Sequence, residues 1–425
     1  MHANKPGSAI SAITIDRHTH EDSLMSDPYS TLTGLTCSRT GAPVSADQLW
    51  NLSPAGATLL ATYDLDRAAR TLRRDAMADR PPTMWRYHEV LPARTPDAVV
   101  SLGEGMTPLL PTPRLGAHLG LTHLTIKDEG LNPTGSFKAR GLSVAVTMAR
   151  ALGARRLAIP SAGNAGGAMA AYAARAGVAA HVFVPSDAPA SNRAECLLAG
   201  AEVTLVRGFL NDCAALVAQG AKDHGWYEMS TFKEPYRVEG KKTMAYELVE
   251  QMGGGLPDVI VYPTGGGTGL VAMWKAFAEL EALGWIGSQR PRLISVQAEG
   301  CAPLVRAFAA GNDHCTPWLN PTTTVPGLRA PRVLADVLCL RAIRESHGTA
   351  IAVPDAAMFA AQREAGAAEG LALCPEGAAC IAALHQLVAG GAVDRDERIV
   401  VFNTATGLKY VEMMPTDAPT VDAPR

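Results

Sequence analysis

From Leu124 onward, short apolar runs alternate with longer mixed stretches. "HVFVP" is followed by "ASNRAECLLAG", "EVTLV" by "NDCAALVAQGAKDHG", and "DVIVYP" by "GLVAMWKAFAELEAL". The runs rich in Val and Ile have strand length, and the stretches after them carry apolar residues at helical spacing. "RRLAI", "RLISVQAEG" and "RIVVFN" extend the strand set. This alternation predicts an α/β fold with a mainly parallel sheet and helices on both faces. Before Leu124 the pattern is weaker. Residues 1–30 are polar and mixed and read as a mobile tail. Its His18 and His20 are either metal ligands or part of a solvated tail. Residues 32–94 are irregular, with one helix expected at "DLDRAARTLRRDAM".

In parallel sheets, ligands sit beyond the carboxyl ends of the strands. Three loops there carry candidate chemistry. "PTGGGTG" (residues 263–269) follows the strand "DVIVY" and opens a helix. Gly265, Gly266 and Gly267 let the backbone approach a ligand, and the helix beginning near Thr268 aims N–H groups at it, as a phosphate needs. No Lys-Ser/Thr follows, so this is not a P-loop. Leu270 occupies the third glycine position of the dinucleotide fingerprint. The alternative is a turn that needs glycine only for packing. "PSAGNAGGA" (residues 160–168) holds Asn164, either a ligand amide or a helix cap. "NTATGLKY" (residues 403–410) holds the neutral hydroxyls of Thr404 and Thr406.

"NPTGSFKARG" (residues 132–141) reads as a turn and then a helix capped by Ser136, with apolar positions at Leu142, Val146 and Ala149. Lys138 falls in the first turn, where the helix already carries partial positive charge. An amine there, buried among small residues, has its pKa pushed down. Beside a phosphate cradle, such a lysine suits a Schiff base with a phosphorylated aldehyde, pyridoxal phosphate. An ordinary surface lysine is the alternative.

Composition narrows the field. The 425 residues are 47% hydrophobic and 19% charged, which suffices for a large core and two domains. Net charge is -3, with no long basic run, so nucleic acid is not an expected partner. There is no span-length apolar stretch and no apolar signal-peptide run near the start, so a cytoplasmic protein without a membrane partner is expected. The eight cysteines are scattered without a C-x-x-C, which suggests free thiols.

Five motifs occur in order: "GEGMTPLL", "LTIKDEGLNPTGSFKARG", "PSAGNAGGA", "STFKEPYRVEGKKTMAYEL" and "VIVYPTGGGTGL". Together they resemble the threonine synthase branch of the fold type II (tryptophan synthase β-like) pyridoxal phosphate enzymes, over roughly residues 100–410. The resemblance implies two open, mainly parallel α/β domains with the cofactor in the cleft between them. The large domain would comprise 96–150 and 241–425, and a small mobile substrate domain 151–240, after an extension over 1–95. Lys138 would be the Schiff-base lysine and Asn164 the partner of the cofactor's phenolic oxygen. Gly265, Gly266, Gly267 and Thr268 would hold the cofactor phosphate, and Thr404 would face the pyridine nitrogen. The implied substrate is O-phospho-L-homoserine and the products L-threonine and phosphate. Arg237 matches the arginine that would take the substrate phosphate, with a surface salt bridge as its alternative. Lys127, Lys241 and Lys242 are further candidates for that work. Ser161 and Gly163 would help seat the substrate carboxylate. A homodimer is the family's implication.

The chain also departs from the pattern. Ala139 replaces the Asp of "SFKDRG", and Ala165 replaces a hydroxyl residue after the Asn. The stretch "LTCSRTGAPV" with "LSPAGATLLATYDL" resembles a worn-down zinc ribbon in which Cys37 survives and Thr40 stands where a partner would be; no metal is expected. Two other enzymes on the same cofactor stay open. A serine or threonine ammonia-lyase has no use for Arg237 as a phosphate ligand, whereas a phosphoserine β-replacement enzyme of the cysteate synthase kind keeps it. A non-catalytic metabolite-binding relative would be marked by a lost lysine or a broken loop.

Overall fold

The computed structural model describes residues 27–414, 418–421 and 423. His18 and His20 lie outside them. The strands, in chain order, are β1 (Leu32–Cys37), β2 (Pro43–Val44), β3 (Leu59–Tyr63), β4 (Leu109–Pro111), β5 (His123–Asp128), β6 (Arg156–Pro160), β7 (Ala179–Pro185), β8 (Glu202–Val206), β9 (Tyr227–Glu228), β10 (Val259–Pro263), β11 (Arg292–Ala298), β12 (Thr349–Val353) and β13 (Arg398–Asn403). They make three sheets. A six-stranded sheet has the order β12-β11-β10-β13-β5-β4, parallel except for β4 against β5. A four-stranded parallel sheet has the order β8-β7-β6-β9. β1 pairs antiparallel with β2 and β3.

The large sheet is sandwiched. Every residue of β10 is buried, which is why it reads as an unbroken apolar run. Phe277, Leu280 and Trp285 pack on one face with Ile260, while Ile381 and Leu384 pack on the other with Val259 and Val261. The small sheet relies on little side chains, with Ala168, Ala170 and Ala173 set against Leu157 and Val182. Among the described residues, no helix is long and apolar enough to cross a membrane.

Four expectations require correction. The single helix at "DLDRAARTLRRDAM" is one turn, Leu65–Ala68, followed by a 3-10 segment at Arg74–Asp79. The chain bends so that both Leu72 and Met77 are buried, and the Trp285 indole holds the Leu72 carbonyl at 3.1 Å. The irregular stretch before Arg94 contains the β1–β3 sheet, whose strands are too short and too interrupted to announce themselves. The tail does not reach Ser30: the Tyr29 ring stacks on His88 at 4.1 Å, and Ser30 is buried with its hydroxyl on the Leu91 carbonyl. Ser136 does not cap the next helix, which runs Lys138–Ala151 with Phe137 at its N-cap. Ser136 is extended instead, bridged to Ala405.

Near the first strands, Cys37 Sγ lies 3.1 Å from Ser53 Oγ. Hydrogen bonds from Ser53 and then Thr40 hold the thiol down at about 6. Among the described residues, no three His, Cys, Asp or Glu side chains are grouped to hold a metal.

The helices Lys138–Ala151 and Arg237–Gln251 cross at glycine. A Cβ on Gly240 would overlap the Arg140 carbonyl, and one on Gly141 would lie 2.9 Å from the Arg237 carbonyl. Beside this crossing sits a fully buried ion cluster. Arg140 donates to Glu129 from Nε (2.6 Å) and Nη2 (2.8 Å), and to Glu247 from Nη1 (2.5 Å) and Nη2 (2.7 Å). Lys127 Nζ completes it at 2.8 Å from Glu247. The two cations hold the Glu247 carboxyl at about 2 despite its burial. Removing one member strands the others' charge in the interior, a loss of about 3–5 kcal/mol. Arg140→Ala is therefore expected to lower unfolding free energy by that amount or to abolish soluble folding. Chemical denaturation monitored by tryptophan fluorescence checks this.

Candidate active site

The candidate site forms where loops from both parallel sheets meet. The Lys138 loop is stitched to the loop after β13. Phe137 N–H donates to the Thr404 carbonyl at 3.0 Å, and Thr406 N–H to the Gly135 carbonyl at 2.9 Å. Thr404 is buried, with Oγ1 3.7 Å from Cys374 Sγ. Cys374 caps the helix Pro375–Ala389, accepting from Gly377 N–H at 3.2 Å.

The glycine loop lies between β10 and the helix Thr268–Ala282. Gly267 adopts φ +78°, and a Cβ there would strike the Cys339 thiol. A Cβ on Gly265 would strike the Gly327 carbonyl. These positions exclude a side chain, which leaves main chain and the first turn of a helix facing inward, with Thr268 buried at its start. Thr231 approaches Gly266 from the small-sheet side, with Cγ2 3.4 Å from where a Cβ would stand.

Asn164 begins the helix Asn164–Ala176, and the preceding Gly163 makes no side-chain cap. Asn164 is not a cap either. Its Nδ2 donates to Tyr410 OH at 3.0 Å, and its buried Oδ1 has no partner among the described residues. Tyr410 OH donates in turn to Glu376 Oε1 at 3.0 Å, which also accepts from Gly327 N–H at 3.0 Å. Glu376 Oε2 is buried without a partner. Ser161 Oγ is committed to its own loop, donating to the Gly163 carbonyl (2.9 Å) and accepting from Gly166 N–H (3.0 Å).

Lys138 Nζ lies over the Phe137 ring, 4.1 Å from its centre. Burial first, and then the Arg237 guanidinium, push its pKa down to about 8, against the pull of Glu376 and Cys374. From the amino-acid sequence, part of this effect was expected from the helix terminus. The second cause in the structure is instead a cation brought from another helix.

Arg237 opens its helix and is 1% exposed. Nη1 donates to the Met229 carbonyl at 2.7 Å, while Nε and Nη2 have no partner among the described residues. A surface salt bridge is thus not its role. Burial lowers its pKa to about 10, against the attraction of Glu234. Glu234 is itself pushed up to about 7 by burial, although Oε2 accepts from the Tyr236 and Arg237 N–H groups.

The other candidate cations separate sharply. Lys127 belongs to the Glu247 cluster, and Lys242 is paired with Glu239 (2.8 Å) and Glu279 (2.9 Å). Lys241 alone of the three is buried without a hydrogen-bond partner among the described residues. Ala139 is fully buried in the small-sheet core, and Ala165 packs against that same core. Sequence reasoning passed over Glu234, Cys374, Glu376 and Tyr410. Glu234 and Tyr410 stood in motifs already singled out, but nothing local marks any of the four as close to Lys138 or Arg237.

The residues fit pyridoxal phosphate: a glycine cradle at a helix start, a lysine of lowered basicity and an amide with an unmatched oxygen. Comparison with known proteins agrees. The family model described as pyridoxal-phosphate dependent enzyme matches residues 100–405. Threonine synthase of Methanocaldococcus jannaschii is 36% identical over 374 residues, covering 88% of this chain and 92% of that one. Threonine synthase of Mycobacterium leprae is 35% identical over 336 residues, covering 79% and 90%. Among solved structures, maize serine racemase has a TM-score of 0.63 at 22% identity, covering 72% of this chain and 91% of that one. Diaminopropionate ammonia lyase from Escherichia coli gives 0.64 at 19%, covering 76% and 93%. These two likenesses speak for the fold alone. With such identity to curated relatives along most of its length, the chain belongs to the threonine synthase family of pyridoxal-phosphate dependent enzymes.

Proposed function

We propose that the protein is a threonine synthase that converts O-phospho-L-homoserine and water into L-threonine and phosphate. The observation that carries the substrate is Arg237, a buried guanidinium beside Lys138 with two nitrogens unmatched. A planar fork with open donors suits phosphate oxygens. An unphosphorylated amino acid leaves those donors stranded, which disfavours the ammonia-lyase reading.

Pyridoxal phosphate, when bound, supplies the electron sink for charge developing at the substrate's Cα. Lys138 would be its covalent anchor. Gly265, Gly266, Gly267 and Thr268 would hold its phosphate, Asn164 would bond its phenolic oxygen, and Thr404 would serve its pyridine nitrogen. The Lys138 amine moves protons at the substrate's Cα and Cβ, because the two carbons are adjacent and one flexible side chain reaches both. The Cγ–O bond breaks and phosphate departs with that oxygen. Water then adds its hydroxyl at Cβ, and the remaining protons return to Cα and Cγ, giving a methyl group. Arg237 holds the phosphate before and after this cleavage. Gly163 and the loop kept in shape by Ser161 seat the carboxylate.

We further infer that residues 151–240 act as a small domain that closes on the substrate, with residues 96–150 and 241–425 as the larger partner. The segment 407–413 supports this reading because it touches both. Lys409 Nζ bonds Glu195 (2.6 Å) and the Thr134 carbonyl (2.9 Å), and Ser191 Oγ bonds the Lys409 carbonyl (2.9 Å). Closure keeps water out until the leaving group has gone.

Incubation of the reconstituted enzyme with O-phospho-L-homoserine, O-phospho-L-serine, L-threonine and L-serine tests the assignment. Phosphate and threonine from the first substrate are expected. Keto acid from threonine or serine would instead mark an ammonia-lyase. Arg237→Ala is expected to raise KM for O-phospho-L-homoserine about thirtyfold or more, the cost of stranding a buried charge partner. Steady-state kinetics check it, and an unchanged KM would remove Arg237 from the phosphate site. Lys138→Ala is expected to abolish turnover and the absorbance band of the bound cofactor.

The lowered Lys138 pKa sets a pH dependence. Only the neutral amine attacks an aldehyde, and the neutral form grows as pH rises through about 8. The rate of cofactor capture by apoenzyme should therefore climb between pH 7 and 9 and level off above. An ordinary lysine would still be climbing at pH 10. Stopped-flow absorbance after mixing with pyridoxal phosphate distinguishes the two.

A further inference from the structure

Apart from Lys138, the fully buried lysines among the described residues obey one rule with one exception. Lys127 and Lys242 are each paired with carboxylates. Lys241 is 1% exposed, and its Nζ has no hydrogen-bond partner among the described residues. A buried, unmatched amine is costly, so its retention calls for a partner that arrives from outside. Its position tells which kind. Lys241 lies four residues after Arg237 on the same helix, so the two side chains share a face. Nζ is 5.2 Å from the centre of the Phe137 ring, the same ring that carries Lys138 Nζ at 4.1 Å. Gly141 leaves room for the amine, since a Cβ there would be 3.1 Å from Nζ.

The charged groups that face Lys241 are Arg237, Lys138 and Glu234. Three basic groups thus meet one carboxylate, and one oxygen of that carboxylate is already bonded to main-chain N–H groups. With all three protonated they carry two charges more than that carboxylate, the complement of a dianion. We propose that Lys241 is a second ligand for the phosphate group of the substrate, completing with Arg237 a site that selects phosphorylated over unphosphorylated amino acids. This rests on the threonine synthase reading above. The cofactor also carries a phosphate, but the glycine cradle before Thr268 belongs to a different helix, so the substrate is the source favoured here.

Burial, then Arg237 and Lys138, push the Lys241 pKa well below its ordinary value, which Glu234 only partly opposes. A phosphate dianion entering beside the amine raises its affinity for a proton, so phosphate binding favours proton uptake at Lys241.

The test uses holoenzyme, Lys241→Met and Lys241→Gln. Titration calorimetry with inorganic phosphate in two buffers of different ionisation enthalpy reads affinity and proton uptake together. Wild type is expected to take up a proton. Both variants should lose that uptake and weaken phosphate binding about thirtyfold or more. KM for O-phospho-L-homoserine should rise alongside, with affinity for L-threonine unchanged. Thermal melting should show Lys241→Met to be at least as stable as wild type, because an unmatched amine has been removed. Unaltered phosphate binding in both variants would overturn the proposal. So would a fall in pyridoxal phosphate affinity, read by absorbance during reconstitution, with phosphate binding retained. Either result, alongside a raised KM in Arg237→Ala, leaves the proposed function standing. Loss of both arginine and lysine effects overturns the phosphorylated substrate itself.

Discussion

The buried cluster of Lys127, Glu247, Arg140 and Glu129 is the constraint on which the site depends. Lys127 ends on the central sheet in β5, Glu129 follows that strand, and Arg140 and Glu247 lie on the two crossing helices. Two cations and two carboxylates cancel, so the group is neutral in the core. Its geometry is satisfied through multiple short hydrogen bonds, the condition under which buried charge is tolerated. Because Arg140 is two residues from Lys138, and Glu247 shares a helix with Arg237 and Lys241, the cluster fixes where all three basic groups emerge. The glycine contact at Gly141 and Gly240 brings the helix backbones close enough for Lys138 and Lys241 to meet around one phenylalanine ring.

A few residues away, the opposite rule holds. The second ionic group, Lys242 and Lys275 with Glu239 and Glu279, is balanced like the first. Lys138, Arg237 and Lys241 are not balanced. Arg237 and Lys241 share Glu234, Lys138 feels Glu376, and burial lowers all three in basicity. One helix, Arg237–Gln251, therefore presents a satisfied face for stability and an unsatisfied face for chemistry. The second face costs stability, and the first supplies the rigidity that holds it in place.

How much of this was readable beforehand differs by residue. Asn164, the glycine loop and Thr404 stand at strand ends where a parallel sheet gathers its ligands, so the alternation of apolar and polar runs was enough to look there, whereas Lys138 stood out as a cation in the first turn of a helix. The antiparallel β1–β3 sheet was not readable, because its strands are held by partners in sequence-distant loops and by the burial of Leu35 and Leu59. Ser136 misled for a related reason. Its hydroxyl is a good cap in an isolated helix, but pairing with Ala405 draws the residue into an extended conformation.

The order of strands, helices and glycine turns, and with it the fold class and the kind of cofactor, was determined by the sequence alone, since periodicity and turn chemistry are local properties. Which of the basic residues are matched was decided only by the tertiary structure. Lys127, Arg237, Lys241 and Lys242 are alike as letters, and three of them fall within six residues. Their roles diverge because a charge takes its meaning from what surrounds it when water is gone. Two face carboxylates delivered from other elements, and the other two keep nitrogens without a hydrogen-bond partner among the described residues.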